Sequence, residues 1–252
     1  MIYYPDRKDE IGTLSNDIKS MSDDLKKRIK EIEEFALDVS HELKNPLTSL
    51  KSSSDLLKKN NLEQSNRNIL IKNLGIDIDR MNILISDISN YSLTQVEISE
   101  EIFEEIELIA FLNDFKKSLS SNSCSLIIKN IEKKINLRIN KNKFLQVLFN
   151  LLDNSLTFSK EHSKILIFIK ILEKNCIIHF VDQGCGIPLN YKIKIFDRFY
   201  TDRDHDKNSH SGLGLSISKR IIESFGGSIK LIKSTHLGFE GACFEIKLPL
   251  KE

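Results

Sequence analysis

The chain has 252 residues, 40% of them apolar, which suits one or two domains with conventional cores and is too many for a wholly disordered chain. Lysine plus arginine number 37 and aspartate plus glutamate 36, a formal charge of +1, too near neutral for broad electrostatic attraction to nucleic acid. Cys124, Cys176, Cys185 and Cys243 lie far apart with no CxxC pair, so they read as reduced thiols of a cytosolic compartment. No stretch approaches the roughly 20 apolar residues of a bilayer span, and the opening MIYYPDRKDE lacks the apolar run of a signal peptide. The expectation is a soluble, cytoplasmic chain that begins abruptly.

Only Gly12 and Gly75 precede residue 184, and the other eight glycines fall between Gly184 and Gly241. This predicts long helices over about 10–93, then strands alternating with helices around a glycine-rich region. Leu14, Ile18, Met21, Leu25, Ile29, Ile32, Ala36, Val39, Leu43, Leu47 and Leu50 recur every three or four residues, the seam of a coiled coil. A second run, Ile71, Leu74, Ile78, Met81, Ile85 and Ile88, follows the polar segment Asn60 to Asn68. Two helices alone bury such a stripe poorly, so an antiparallel hairpin that dimerises into a four-helix bundle is the economical solution. Tyr91 to Ser99 reads as a linker. Beyond it the pattern is strand 104–108, helix 110–119, strands 125–129 and 136–139, helix 143–158, strands 165–172 and 176–181, helix 213–225, and strands 228–233 and 242–248. That is an α/β sandwich, and the whole chain is of α + α/β class.

His41 lies within Ser40-His41-Glu42-Leu43-Lys44-Asn45-Pro46-Leu47. The seam residues Val39 and Leu43 are each two positions away, roughly 200° of helix rotation, which turns His41 to solvent. A reference pKa of about 6.5 leaves such an imidazole largely neutral, with a nucleophilic ring nitrogen. Glu42 could hold the opposite nitrogen and withdraw its proton during attack. Pro46 costs a helix one amide bond, so a chain that keeps it five residues after the histidine is expected to bend there.

Three features of the second half belong together. Asn150-Leu151-Leu152-Asp153-Asn154 puts two amides on one helix face, and an amide oxygen is a hard ligand suited to Mg²⁺ beside phosphate. Asp182-Gln183-Gly184-Cys185-Gly186-Ile187-Pro188 follows an apolar strand; its carboxylate can accept from an exocyclic amino group such as that of adenine. Ser211-Gly212-Leu213-Gly214-Leu215 opens an amphipathic helix, where backbone amides favour an anion. Neither the phosphate-loop nor the GxGxxG spacing is present. The polar stretch Asp197 to His210 reads as a lid.

In this order the strings resemble the boxes of sensor histidine kinases of two-component systems. The H box is similar to Ser40 to Leu47, the N box to Asn150 to Phe158, the G1 box to Asp182 to Pro188, the F box to Phe196 to Tyr200, the G2 box to Gly212 to Leu215, and the last glycine box to Gly238 to Phe244. Asp9 to Leu14 resembles the end of a HAMP signalling module, and Phe35 to Leu50 resembles the alphaproteobacterial kinases that sense acid or envelope stress. The resemblance implies a HAMP remnant and coiled coil over 1–32, a dimerisation and histidine-phosphotransfer domain over 33–95, and a GHKL-type ATP-binding catalytic domain over 98–252. It implies ATP bound by Asn150 and Asn154, by Asp182, Gly184, Gly186 and Ile187, by Phe199, and by Gly212, Leu213, Gly214 and Leu215, with Asn154 on Mg²⁺. His41 becomes phosphorylated with Glu42 as base, Asn45 positions water for dephosphorylation, and a cognate response regulator takes the phosphoryl group. The expected partners are a second copy of the chain and that regulator, without nucleic acid, and a membrane only through an N-terminal region in a longer, inner-membrane form.

Two departures stand out. Thr157 replaces the usual N-box lysine, so that a γ-phosphate contact is either missing or supplied by Lys160 or Arg203, and Ser155 replaces an alanine. The rival readings are a GHKL-type ATPase machine, which carries a glutamate base where this chain has Asn150, and a dimeric scaffold that binds ATP with little kinase activity. An amide cannot deprotonate water, which favours the kinase.

Overall fold

A computed structural model describes residues 9–59, 63–97, 103–119, 125–130, 134–160, 162–201 and 211–250. The chain divides into two compact units, Met1–Ile78 and Asp79–Glu252.

The first unit holds α1, Glu10–Leu57, and the start of α2, Gln64–Glu97. Asp9 caps α1, its carboxylate accepting from the Gly12 amide at 3.0 Å, a bond of about 1 kcal/mol. The helix runs on through Pro46, which is buried. Leu14, Ile18, Met21, Leu25, Ile29 and Ile32 are each 48–71% exposed. The surface ion pairs of α1, Lys26 with Asp23 and Lys30 with Glu34, are worth at most about 0.5 kcal/mol each. The apolar seam therefore awaits a partner that one chain does not supply.

Past Ile78, α2 belongs to the second unit and stays helical to Glu97, which corrects the linker reading over Tyr91 to Glu97; Ile98 and Ser99 lie outside the described residues. Tyr91 to Glu97 contains neither glycine nor proline to stop a helix. Tyr91 itself is buried, with the Arg220 guanidinium 5.9 Å from its ring centre.

The rest of this unit runs β1 Glu104–Glu107, α3 Leu108–Ser118, β2 Ser125–Asn130, β3 Asn136–Ile139, α4 Lys141–Phe158, β4 Lys164–Leu172, β5 Asn175–Val181, α5 Gly214–Ser224, β6 Ser228–Ile232 and β7 Cys243–Pro249. These bounds fall within two residues of the sequence reading. Leu108 starts a helix rather than ending a strand because the Glu107 carboxylate accepts from the Ile109 and Ala110 amides at 3.0 and 2.6 Å.

Among the described residues β1 and β3 form an antiparallel pair, and the main sheet has the order β2-β4-β5-β7-β6. Its β2–β4 pairing is parallel and the others antiparallel. Central β5 is buried from Cys176 onward, as a strand covered on both faces must be. Val147, Leu148 and Leu151 of α4, Ile217 and Ile221 of α5, and Ile178, Phe180 and Phe244 of the sheet make the dry core. Leu166, Val181, Cys243 and Phe239 form a smaller cluster. The strand end at Val181 and the start of α5 thus stand on fixed supports.

Candidate nucleotide site and phosphoacceptor helix

In the first unit, His41 is exposed on α1, with Val39 and Leu43 half-buried. Glu42 is half-buried and Asn45 exposed. Pro46 has no amide hydrogen, so the Glu42 carbonyl four residues back loses its helical donor. The neighbouring hydroxyls of Ser40 and Thr48 donate to the Ala36 and Lys44 carbonyls at 2.7 and 2.8 Å.

In the second unit, a cavity of about 380 Å³ opens between α4, the loop after β5, and the loop that leads into α5, a size suited to a small-molecule ligand. Asp182, 3% exposed, lies on its wall. Its Oδ1 accepts from the amides of Gly184 and Ala242, both at 2.9 Å, and its Oδ2 accepts from the Ser155 hydroxyl at 3.2 Å. Burial pushes this carboxyl above the usual carboxylate range, while the two amides and the hydroxyl pull it back. A carboxylate so held presents an acceptor of fixed direction.

Asn150 donates from Nδ2 to the Gly214 carbonyl at 2.9 Å and to the Ser218 hydroxyl at 3.2 Å. It thereby ties α4 to the first turn of α5. Asn154 donates from Nδ2 to the Asn150 carbonyl at 2.9 Å, so its Oδ1 is the end suited to a hard cation. Gly184, Gly212 and Gly241 each leave no room for a side chain around this site. A Cβ on Gly241 would stand 1.9 Å from Asp182 Oδ1, and one on Gly212, which has φ +76°, would stand 2.6 Å from the Phe199 carbonyl carbon. The polar acceptor at one end, the apolar walls of Ile187 and Leu215, and a helix start at the other end fit a purine nucleotide with its phosphates. Among the described residues no cluster of three or more histidine, cysteine or carboxylate side chains could hold a metal by itself.

Of the residues expected to bind ATP, Asn150, Asn154, Asp182, Gly186 and Ile187 line the cavity, as do Gly212, Gly214 and Leu215. Gly184, Leu213 and Phe199 stand behind the wall. Gly184 supplies an amide to Asp182, Leu213 is fully buried as the cap of α5, and the Phe199 backbone packs under Gly212. Of the stretch expected to form a lid, residues 202–210 lie outside the described residues, and with them Arg203. Thr157 turns its hydroxyl to the Asp153 carbonyl at 2.9 Å.

Sequence reasoning missed four contributors. Ser155 stands in the sequence as no more than a departure from an alanine, yet it is 1% exposed and bonded to Asp182. Asp87 and Asn90 of α2 also line the cavity, and Asp87 accepts from the Ser211 hydroxyl. Their only sequence signal was the unbroken helical pattern past residue 90. Cys185, exposed on the loop after β5, lines the same cavity.

Comparison with known proteins agrees with this geometry. Residues 139–252 match the family described as histidine kinase-, DNA gyrase B- and HSP90-like ATPase, and residues 31–95 match the His Kinase A phospho-acceptor domain. The chain is 35% identical to the sensor protein ChvG of Agrobacterium fabrum, over 98% of this chain and 44% of that protein. It is equally similar to the sensor protein ChvG of Rhizobium meliloti, over 98% and 45%. It thus spans less than half the length of these curated relatives. A crystal structure of the histidine kinase ThkA with the response regulator protein TrrA shares the fold, with TM-score 0.65 and 23% identity over 90% of this chain and 64% of that one. With a phospho-acceptor domain and an ATP-binding domain in that order, the chain belongs to the sensor histidine kinases of two-component systems.

Proposed function

We propose that this chain is the kinase portion of a membrane sensor: an ATP-dependent autokinase that phosphorylates His41 and passes the phosphoryl group to an aspartate of a response regulator. The observation that carries the reading is the buried Asp182 carboxylate, fixed by two amides and a hydroxyl on the wall of a nucleotide-sized cavity, in a chain whose H-box histidine is exposed. Asp182 accepts from the adenine amino group, and the amides that open α5 face the phosphates. Mg²⁺, held by Asn154 and phosphate oxygens, would neutralise charge on the leaving diphosphate.

A ring nitrogen of His41 forms the new N–P bond as the bond to the β–γ bridging oxygen breaks and ADP leaves. The proton on the opposite nitrogen passes to Glu42. The regulator's carboxylate then takes the phosphoryl group as Glu42 returns the proton to the ring, which leaves the imidazole neutral. Asn45, one turn beyond His41, positions water for the reverse control, hydrolysis of the phosphorylated regulator.

The assignment of 1–32 to signalling coiled coil, 33–95 to phosphotransfer and 98–252 to catalysis follows the same reading, as does homodimerisation through the exposed seam. A place on the cytoplasmic side of a bacterial inner membrane is in line with relatives called sensor proteins from Agrobacterium and Rhizobium. No helix among the described residues is long and apolar enough to cross a membrane, so any span would lie elsewhere. Asn150 disfavours the ATPase alternative, because an amide donating to Gly214 and Ser218 cannot act as a base.

The test is incubation with Mg²⁺ and γ-labelled ATP, comparing wild type with His41→Gln. Acid-labile, alkali-stable label is expected in the wild type alone. A wild type that binds ATP and acquires no label would refute the autokinase.

A further inference from the structure

We propose that Ser155 is a positioning residue for purine recognition, holding the Asp182 carboxylate ionised and turned so that it accepts from an adenine amino group and rejects a guanine carbonyl. This deepens the reading above and rests on it.

Asp182 Oδ1 is occupied twice, by the Gly184 and Ala242 amides. Oδ2 carries the remaining lone pairs, and one of these takes the Ser155 hydroxyl at 3.2 Å. Ser155 is 1% exposed and Asp182 3%, so no bulk water replaces that donor if it is removed. Its position is fixed by α4, where it shares the buried face with Leu148, Leu151 and Leu152.

Two protonation states of Asp182 read different bases. The carboxylate is an acceptor only, which pairs with the adenine amino group and repels the guanine 6-oxygen. The carboxylic acid carries a donor, pairs with that oxygen and loses the distinction. Burial favours the acid form and the hydroxyl opposes it. Among the described residues no lysine or arginine lines the cavity. The titratable groups on the elements around Asp182 include Cys243 of β7, whose thiol is pushed up to about 12 by burial and by the charges of Glu245 and Asp182, Asp87, Asp153, Cys185, Tyr191 and Tyr200 on the cavity wall, and Glu240 beside Gly241, with Glu245 and Lys247 further along β7. The alanine usual at this position of the N box supplies no such donor.

The experiment is a pH series of fluorescent ATP-analogue binding with ATP and GTP as competitors, in wild type, Ser155→Ala and Ser155→Cys. Cysteine keeps the volume and offers only a weak donor, so it serves if alanine disturbs folding. Removing the hydroxyl is expected to move the acid limb of ATP affinity to higher pH, hence to weaken binding by up to about tenfold on that limb, the worth of one hydrogen bond, and little at alkaline pH. The preference for ATP over GTP narrows on the same limb. Acid limbs at the wild-type position in both variants, with unchanged ATP preference, would overturn the inference. A wild type that binds no ATP at any pH would instead overturn the nucleotide-site reading, so the two failures are distinct.

Discussion

Asp182 sets a stability cost against a recognition gain. Its carboxyl is raised above the ordinary 3.8 by burial, so its protonated form stabilises the ligand-free unit and that contribution is lost as pH rises through the raised value. Asparagine can keep both amide bonds on its oxygen and donate to Ser155. Asp182→Asn is therefore expected to melt no lower than wild type at neutral pH, while losing about 1.5–3 kcal/mol of ATP binding, the worth of a hydrogen bond to a charge. Thermal melts and titration calorimetry on one sample check both halves.

The opposite sign holds for His179 and His236, whose rings meet at 2.9 Å, with Glu245 at 3.3 Å from the far nitrogen of His179. Both are lowered from 6.5, chiefly by burial. Their contribution is present above 6.5 and lost as pH falls through the lowered values. The melting temperature of the second unit should fall on acidification below that point, and His236→Asn should flatten the dependence; an unchanged slope would contradict the coupling. The place of Asp182 at the end of an apolar strand, before a glycine loop, was legible in the sequence because the largely apolar run from Cys176 to Val181 stops there. Ser155 was not, because its partner is 27 residues away and only packing brings them together.

At the scale of elements, the Asn150 amide adds a polar tie to the apolar packing between α4 and α5. Asn150→Ala strips the Gly214 carbonyl and the Ser218 hydroxyl of a donor and should cost about 1–3 kcal/mol in urea unfolding. Asn150→Glu should cost no less, since a carboxylate cannot donate to a carbonyl. If the glutamate variant were as stable as wild type, the tie would have no weight. Gly241→Ala forces a methyl group into the Asp182 carboxylate, which should cost about 1–3 kcal/mol and most of the ATP affinity.

Strands and helices of this unit were readable to within two residues, because alternation, helical periodicity and the glycines agreed with one another. The end of α2 was not. A polar stretch without apolar periodicity looks like a linker, whereas the absence of helix breakers and the burial of Tyr91 against Arg220 keep it helical. The contribution of Asp87 and Asn90 to the cavity was not legible either, because both lie within the expected helix and only the fold brings them beside α4 and the loop into α5.

For the whole molecule, the exposed seam from Leu14 to Ile32 predicts a homodimer. Charged substitution of Leu25 and Ile29 together should give monomers by sedimentation while leaving ATP binding by the second unit unchanged. Wild type sedimenting as a monomer at all concentrations would contradict the bundle. The heptads announced this surface, since a stripe of that length has no use on a lone hairpin.

The most direct test of the account is to treat the chain with Mg²⁺ and ATP and locate the phosphoryl group by fragmentation mass spectrometry. The account predicts one phosphoryl group on His41 in wild type and, at ATP concentrations that half-saturate the wild type, about a tenth of that label or less in Asp182→Asn, because nucleotide bound at Asp182 is its source. Phosphate on another residue, or full labelling of His41 in Asp182→Asn, would contradict it.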